Sequence, residues 1–154
     1  MNKKTLLGLL VIGMAITFTM CKKDSTNSTV YSSFTANGVT YSANQGTHYD
    51  TSVQTFYAAT SNHDSLQMSF LTKPTMSMAF AVKNDDDTLP LTAYNCGVDC
   101  LIGAGLTHDY HSIGAAGDSV HVVIKNGKMT ATFNNISAID TTNTVKMSGT
   151  IIEN

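Results

Sequence analysis

The chain has 154 residues, 42% apolar and only 13% charged, with a mean hydropathy near zero and a formal net charge of −2. All nine basic residues are lysine, which leaves no electrostatic footprint for nucleic acid, and the apolar fraction excludes wholesale disorder. One domain fits this length, and a composition with 22 Thr, 14 Ser and a single Glu, Glu153, favours β-structure over helix.

The first break in composition comes early. Lys3 and Lys4 precede an uncharged apolar run over 6–18, the layout of a secretory leader over 1–20, too short to span a bilayer comfortably as a helix. Cys21 closes this stretch, and Lys22, Lys23 and Asp24 follow it. The segment resembles the signal of bacterial lipoproteins, with Met20 and Phe18 standing where that family usually has a small residue and a Leu. The resemblance implies that Cys21 becomes the acylated N-terminus. The run after it is similar to that of Bacteroidota lipoproteins, where it is associated with export to the cell surface. The expected location is therefore outside the inner membrane, anchored by lipid to the outer membrane. The polar stretch over 21–29 reads as a flexible tether. Without residues 1–20 the chain keeps 134 residues and seven lysines against eleven acids, long enough for one core without metal or disulfide staples.

From residue 30 to 154 short alternating runs are separated by turn signals. Segments 31–36 and 39–43 flank Asn37 and Gly38, and segments 119–125 and 128–133 flank Asn126 and Gly127. Each Asn-Gly pair suits a type I′ hairpin turn, whose two central residues need positive φ. Alternation puts Val120, Val122 and Ile124 on one face, and Met129, Ala131 and Phe133 on one face of the partner. Further runs cover 53–60 and 65–72, around a polar loop at 61–64, then 76–82 and 144–152. No helical stripe follows residue 29. Eight or nine short, hairpin-connected strands predict an all-β fold, an antiparallel β-sandwich or partly open barrel, with methionines filling gaps on the inner faces. Segments 34–43, 127–133 and 148–151 resemble small all-β Bacteroidota lipoproteins of unknown function, which implies the same fold and transfers no catalytic residue.

Residues 92–117 break the pattern, with Cys96, Cys100, His108, His111 and glycines at 97, 103, 105, 114 and 117. Residues 95–117 read as a long loop, flexible through its glycines at 103–117, and as the first place to look for binding, with Tyr94, His108, Asp109, Tyr110 and His111. In an exported chain whose Cys21 is acylated, Cys96 and Cys100 are an even pair that favours a disulfide. Two Cys four apart in a strand lie about 13 Å apart, beyond the ~7 Å limit, so this expectation needs the chain to curl at Asn95 and Gly97. The alternative is a metal site using Cys96, Cys100, His108 and His111, ligands of the type a tetrahedral zinc takes.

Other motifs read plainly. The glycines at 103–117 lack the strand–loop–helix context of a phosphate loop, Asn84 to Asp87 lacks the spacing of a calcium loop, and His63 and His121 read as surface residues. Neither a nucleophile motif nor a pair of carboxylates across a cleft is legible. The sequence thus predicts a non-enzymatic binding or structural module without a cofactor, held to the membrane by its lipid, with a protein or glycan partner and no nucleic acid. A carbohydrate-binding sandwich is the remaining alternative, with Tyr49, Tyr57 and Tyr110 as its available aromatics.

Overall fold

Successive side chains of an extended strand face opposite ways, so each strand's burial pattern shows which residues its sequence commits to the core. The computed structural model describes residues 32–43, 47–84, 90–103, 105–141 and 143–154; the leader, Cys21 and the tether lie outside the described residues, as do Asp85, Asp86 and Asp87. Eleven strands are present rather than eight or nine: β1 (Ser32–Ala36), β2 (Val39–Ala43), β3 (His48–Asp50), β4 (Thr55–Ala59), β5 (Ser65–Phe70), β6 (Met78–Val82), β7 (Asn95–Ile102), β8 (His108–Ser112), β9 (Ser119–Lys125), β10 (Lys128–Asp140) and β11 (Asn143–Ile152). The described residues contain no helix, and so none long and apolar enough to cross a membrane.

The strands form one mixed sheet in the order β2-β1-β11-β10-β9-β6-β7-β5-β4-β3, with β8 paired to both β10 and β7. The sheet folds over so that its two halves share one core. Phe34, Met129, Phe133, Met147 and Ile151 come from one half, and Phe56, Leu66, Met68 and Val98 from the other. This is the expected all-β sandwich or partly open barrel, with β2 and β3 as its edges. Met68, Met129 and Met147 are fully buried, which suits flexible side chains that fill irregular gaps. Both Asn-Gly turns have positive φ at both positions, 50° and 76° at Asn37 and Gly38, 53° and 75° at Asn126 and Gly127.

β10 is longer than its alternation suggests, because it changes parity midway. Met129, Ala131 and Phe133 face the core, and after a register shift Ile136 and Ala138 do. Asn135, at φ 63°, takes up the extra residue as a β-bulge.

The chain is not hairpin-connected throughout: β6 pairs with β7 in parallel, Ala81 opposite Asn95 and Val82 opposite Cys96. β7 and β10 consequently run in the same direction, and the space between them is filled in two ways. Near their starts β9 and β6 lie between them; near their ends β8 alone does. The change occurs at Ser112, whose buried hydroxyl donates to the Lys83 carbonyl at 2.7 Å and accepts the Val98 N–H at 3.1 Å. On the other side Asp118 accepts the Ser137 N–H at 2.8 Å through its carboxylate, and its carbonyl accepts the Val82 N–H at 3.0 Å. These contacts supply partners to backbone groups where the strand count changes.

Residues 95–117 are thus not a long flexible connection. Most of them belong to β7 and β8, a hairpin closed by a short turn. The disulfide expectation is also corrected. Cys96 and Cys100 are free thiols buried in one regular extended strand, opposite Phe70 and Leu66, and Gly97 introduces no curl because it pairs in register with Ser69. An extended spacing of four residues keeps their sulfurs too far apart to bond.

Candidate binding mouth

In a sheet built mainly of antiparallel neighbours, alternate turns gather at one end. The turn at Asn37 and Gly38, that between Ala59 and Ser65, that between Ile102 and His108, and that between Asp140 and Asn143 all do so. A cleft of about 460 Å³ opens among them, lined by Asn37, Tyr41, His108, Tyr110, Asn143 and Thr144 with a few apolar neighbours. A second cleft, about 340 Å³, is lined by Tyr41, Asn62, Asp64 and Gly103 and so adjoins the first at Tyr41.

Each aromatic of this mouth is fixed from behind. Tyr41 stacks on Phe34 with ring centroids 5.1 Å apart, and Tyr110 stacks on His108 at 5.8 Å. The Tyr41 hydroxyl titrates above the usual range because burial disfavours the phenolate, with Asp64 adding repulsion. Tyr110 is raised in the same way, by burial first and then by Asp140. Both phenols therefore remain neutral hydrogen-bonding groups at physiological pH. The turns are tied together as well. The buried Asp64 carboxylate accepts the Gly103 N–H at 2.9 Å and the Thr60 hydroxyl at 3.1 Å. His108 Nδ1 lies 2.9 Å from the Asp140 carboxylate, joining the β7–β8 turn to the end of β10.

The residues expected to form one binding loop are divided by strand alternation. His108 and Tyr110 reach the mouth, Asp109 and His111 face outward, and the exposed Tyr94 sits at the start of β7, at the opposite end. His111 stands between two carboxylates, 2.9 Å from Asp99 and 3.4 Å from Asp109. The next residue, Ser112, points into the core, so the pair forms no nucleophile–base arrangement.

Cys96, Cys100, His108 and His111 do not converge. The thiols lie in the core, pushed up to about 12 by burial, whereas both imidazoles engage aspartates at the periphery. Among the described residues no group of three or more His, Cys, Asp or Glu side chains could hold a metal ion. Tyr49, Tyr57 and Tyr110 do not form a shared platform either. Tyr49 is buried beside Phe70 with its hydroxyl donating to Gln54, while Tyr57 lies on the outer face against His48. His63 and His121 are exposed, as expected.

Sequence reading missed Tyr41, Asp64 and Asn143 as mouth residues. The usable signal was the position of the turns, since strands of a meander place every second turn at the same end, but taking 95–117 for a loop removed two strands from that count. The chain matches no protein-family model, no curated protein and no solved structure.

Proposed function

We propose that this chain is a lipid-anchored module of the cell envelope that binds rather than catalyses, and that its mouth takes a neutral, hydroxyl-rich ligand of the saccharide class. The observation that carries this reading is the gathering of neutral hydrogen-bonding side chains from separate turns, Asn37, Tyr41, Asn62, Asn143 and Thr144, around two adjoining clefts. Amides and hydroxyls offer both donors and acceptors, and the rings of Tyr41 and His108 add apolar faces that suit the C–H surface of a sugar. Among the described residues no lysine lines either cleft, while Asp64 lines the second and Asp140 pairs with His108 of the first, so an anionic ligand would meet repulsion.

Glycan-array screening followed by calorimetry tests the ligand class. A saccharide should bind the native chain and lose affinity with Tyr41→Ala and with Asn143→Ala; binding that survives both changes would place the site elsewhere. The anchor rests on Cys21 and its flanking residues. Intact mass of the native protein should show cleavage before Cys21 and the acyl adduct upon it.

A further inference from the structure

The end of the sheet opposite the mouth has a different chemistry. Here β5 ends at Phe70 and β6 and β7 begin, and a cleft of about 240 Å³ is lined by Leu71, Pro74, Met76, Met78, Phe80 and Tyr94 among others. Three of these project into solvent: Leu71 is 50% exposed, Met76 65% and Tyr94 73%. Val53 lies at the same end and is 55% exposed; its turn is fixed there because the Gln54 carbonyl accepts the Phe70 N–H.

Exposed lysines stand at the same end. Lys125 and Lys128 flank the turn at Asn126 and Gly127 and are exposed, and that turn lies beside the cleft because the Ile124 N–H donates to Ser77 Oγ. Glu153 there is matched by Lys73, which leaves Lys125 and Lys128 as the lysines of the exposed turn. Among the described residues the mouth end gathers acids instead, Asp64, Asp99, Asp109 and Asp140, with Lys146 nearby.

The chain also enters the fold at this end, where exposed apolar side chains and lysines meet. Ser32, the first described residue, sits opposite Ala43, far from the turn at Asn37 and Gly38, and its hydroxyl accepts the Ile152 N–H just before Glu153. Ten residues separate Ser32 from Cys21, a segment that can span at most about 40 Å.

We propose that the end carrying Leu71, Met76, Tyr94, Lys125 and Lys128 rests on the anionic phospholipid surface to which the chain is tethered. This rests on the anchoring of Cys21 proposed above. Exposed apolar side chains with lysines beside them are what such a surface receives, the former entering the headgroup layer and the latter meeting its phosphates. The tether leaves the fold at the docking end, so docking requires no crossing of the domain by the linker. Along β10, 13 residues long, the mouth is then held about 40 Å from the docked end and faces away from the bilayer.

The test uses the full acylated chain in phosphatidylethanolamine–phosphatidylglycerol vesicles that carry a lipid-borne quencher. One variant bears a fluorophore at Thr75→Cys and another at Asn62→Cys, the buried Cys96 and Cys100 leaving the introduced thiol as the reactive one. The label at 75 should be quenched severalfold more than the label at 62. That contrast should disappear with Leu71→Ser/Met76→Ser, and the docked fraction should fall about tenfold with Lys125→Glu/Lys128→Glu. Equal quenching at the two positions, in a chain whose mass confirms acylation, overturns docking and leaves the anchor standing. A chain without the acyl adduct that fails to stay on the vesicles overturns the anchor and the docking with it. Protection of the label at 75 that grows with protein density rather than with anionic lipid assigns the surface to a second copy and also overturns the proposal.

Discussion

Asp64 Oδ1 accepts the backbone N–H of Gly103 at 2.9 Å, across 39 positions of sequence, and thereby ties the β4–β5 turn to the β7–β8 turn at the rim of the mouth. The same carboxylate accepts the Thr60 hydroxyl, so one buried acid sets the shape of its own turn and the position of its neighbour. Asp64→Ala removes both acceptors and strands a donor, and is expected to cost about 1–3 kcal/mol by urea denaturation. Hydrogen exchange at the Gly103 amide should speed up with it; an unchanged exchange rate would show that this contact does not hold the rim.

Ser112 is the corresponding joint in the middle of the sheet. Its hydroxyl donates to the Lys83 carbonyl and accepts the Val98 N–H, linking β7 to the end of β6. Ser112→Ala is expected to destabilise by about 1–3 kcal/mol, more than Ser148→Ala, whose hydroxyl accepts from Asn135 on the exposed side of the bulge. Paired chemical denaturation of the two variants checks the order.

Gly114 and Gly117 separate steric from conformational demand in one loop. Both have positive φ, 64° and 91°, but a Cβ at Gly114 would stand 2.7 Å from the Asn84 amide nitrogen, whereas one at Gly117 would meet nothing within 4 Å. Gly117→Ala should cost about 1 kcal/mol from backbone strain alone. Gly114→Ala should cost measurably more, because backbone must move to admit the methyl group; equal costs would mean that the Asn84 segment yields freely.

The two buried thiols make alkaline stability a readout of the core. Burial holds both near 12, against an ordinary value near 9, so the unfolded chain gives up these protons first as pH rises. The folded state then binds more protons than the unfolded one, and stability falls between about pH 9 and 12, while it is unaffected by these groups below 9. Thermal melting across that range should show the decline, and Cys96→Ala/Cys100→Ala should flatten it. Ellman's reagent at pH 8 should find both thiols unreactive in the native chain and reactive after denaturation. Reductant should not change the melting temperature of the native protein.

The parts of this fold legible in the sequence are those where side-chain alternation and turn chemistry agree. The hairpins at Asn37 and at Asn126 satisfy both conditions, since apolar residues alternate on either side of a pair able to take positive φ. β8 satisfies neither, because its inward positions are Tyr110 and Ser112 and its other residues are two histidines and an aspartate, a pattern that reads as polar loop. β7 is hidden by Gly97, which in a strand usually signals a bend but here pairs in register with Ser69. β10 was cut short at Phe133 because the bulge at Asn135 exchanges the inward and outward sets. The mouth could not be read residue by residue for the same reason, since it consists of turns whose shared location depends on counting every strand between them.

The exchange of two strands for one at Ser112 has a geometric effect on the whole molecule. On the mouth side the row of strands lacks one member, a reduction in width of about 4.8 Å. The sheet is therefore one strand narrower at the mouth than at the opposite end. β8 acts as its keystone, since it touches β7 and β10 without extending to the wide end. The narrow opening can change its lining through β8 and the adjoining turns while the registers of β9, β6 and the lower halves of β7 and β10 stay as they are.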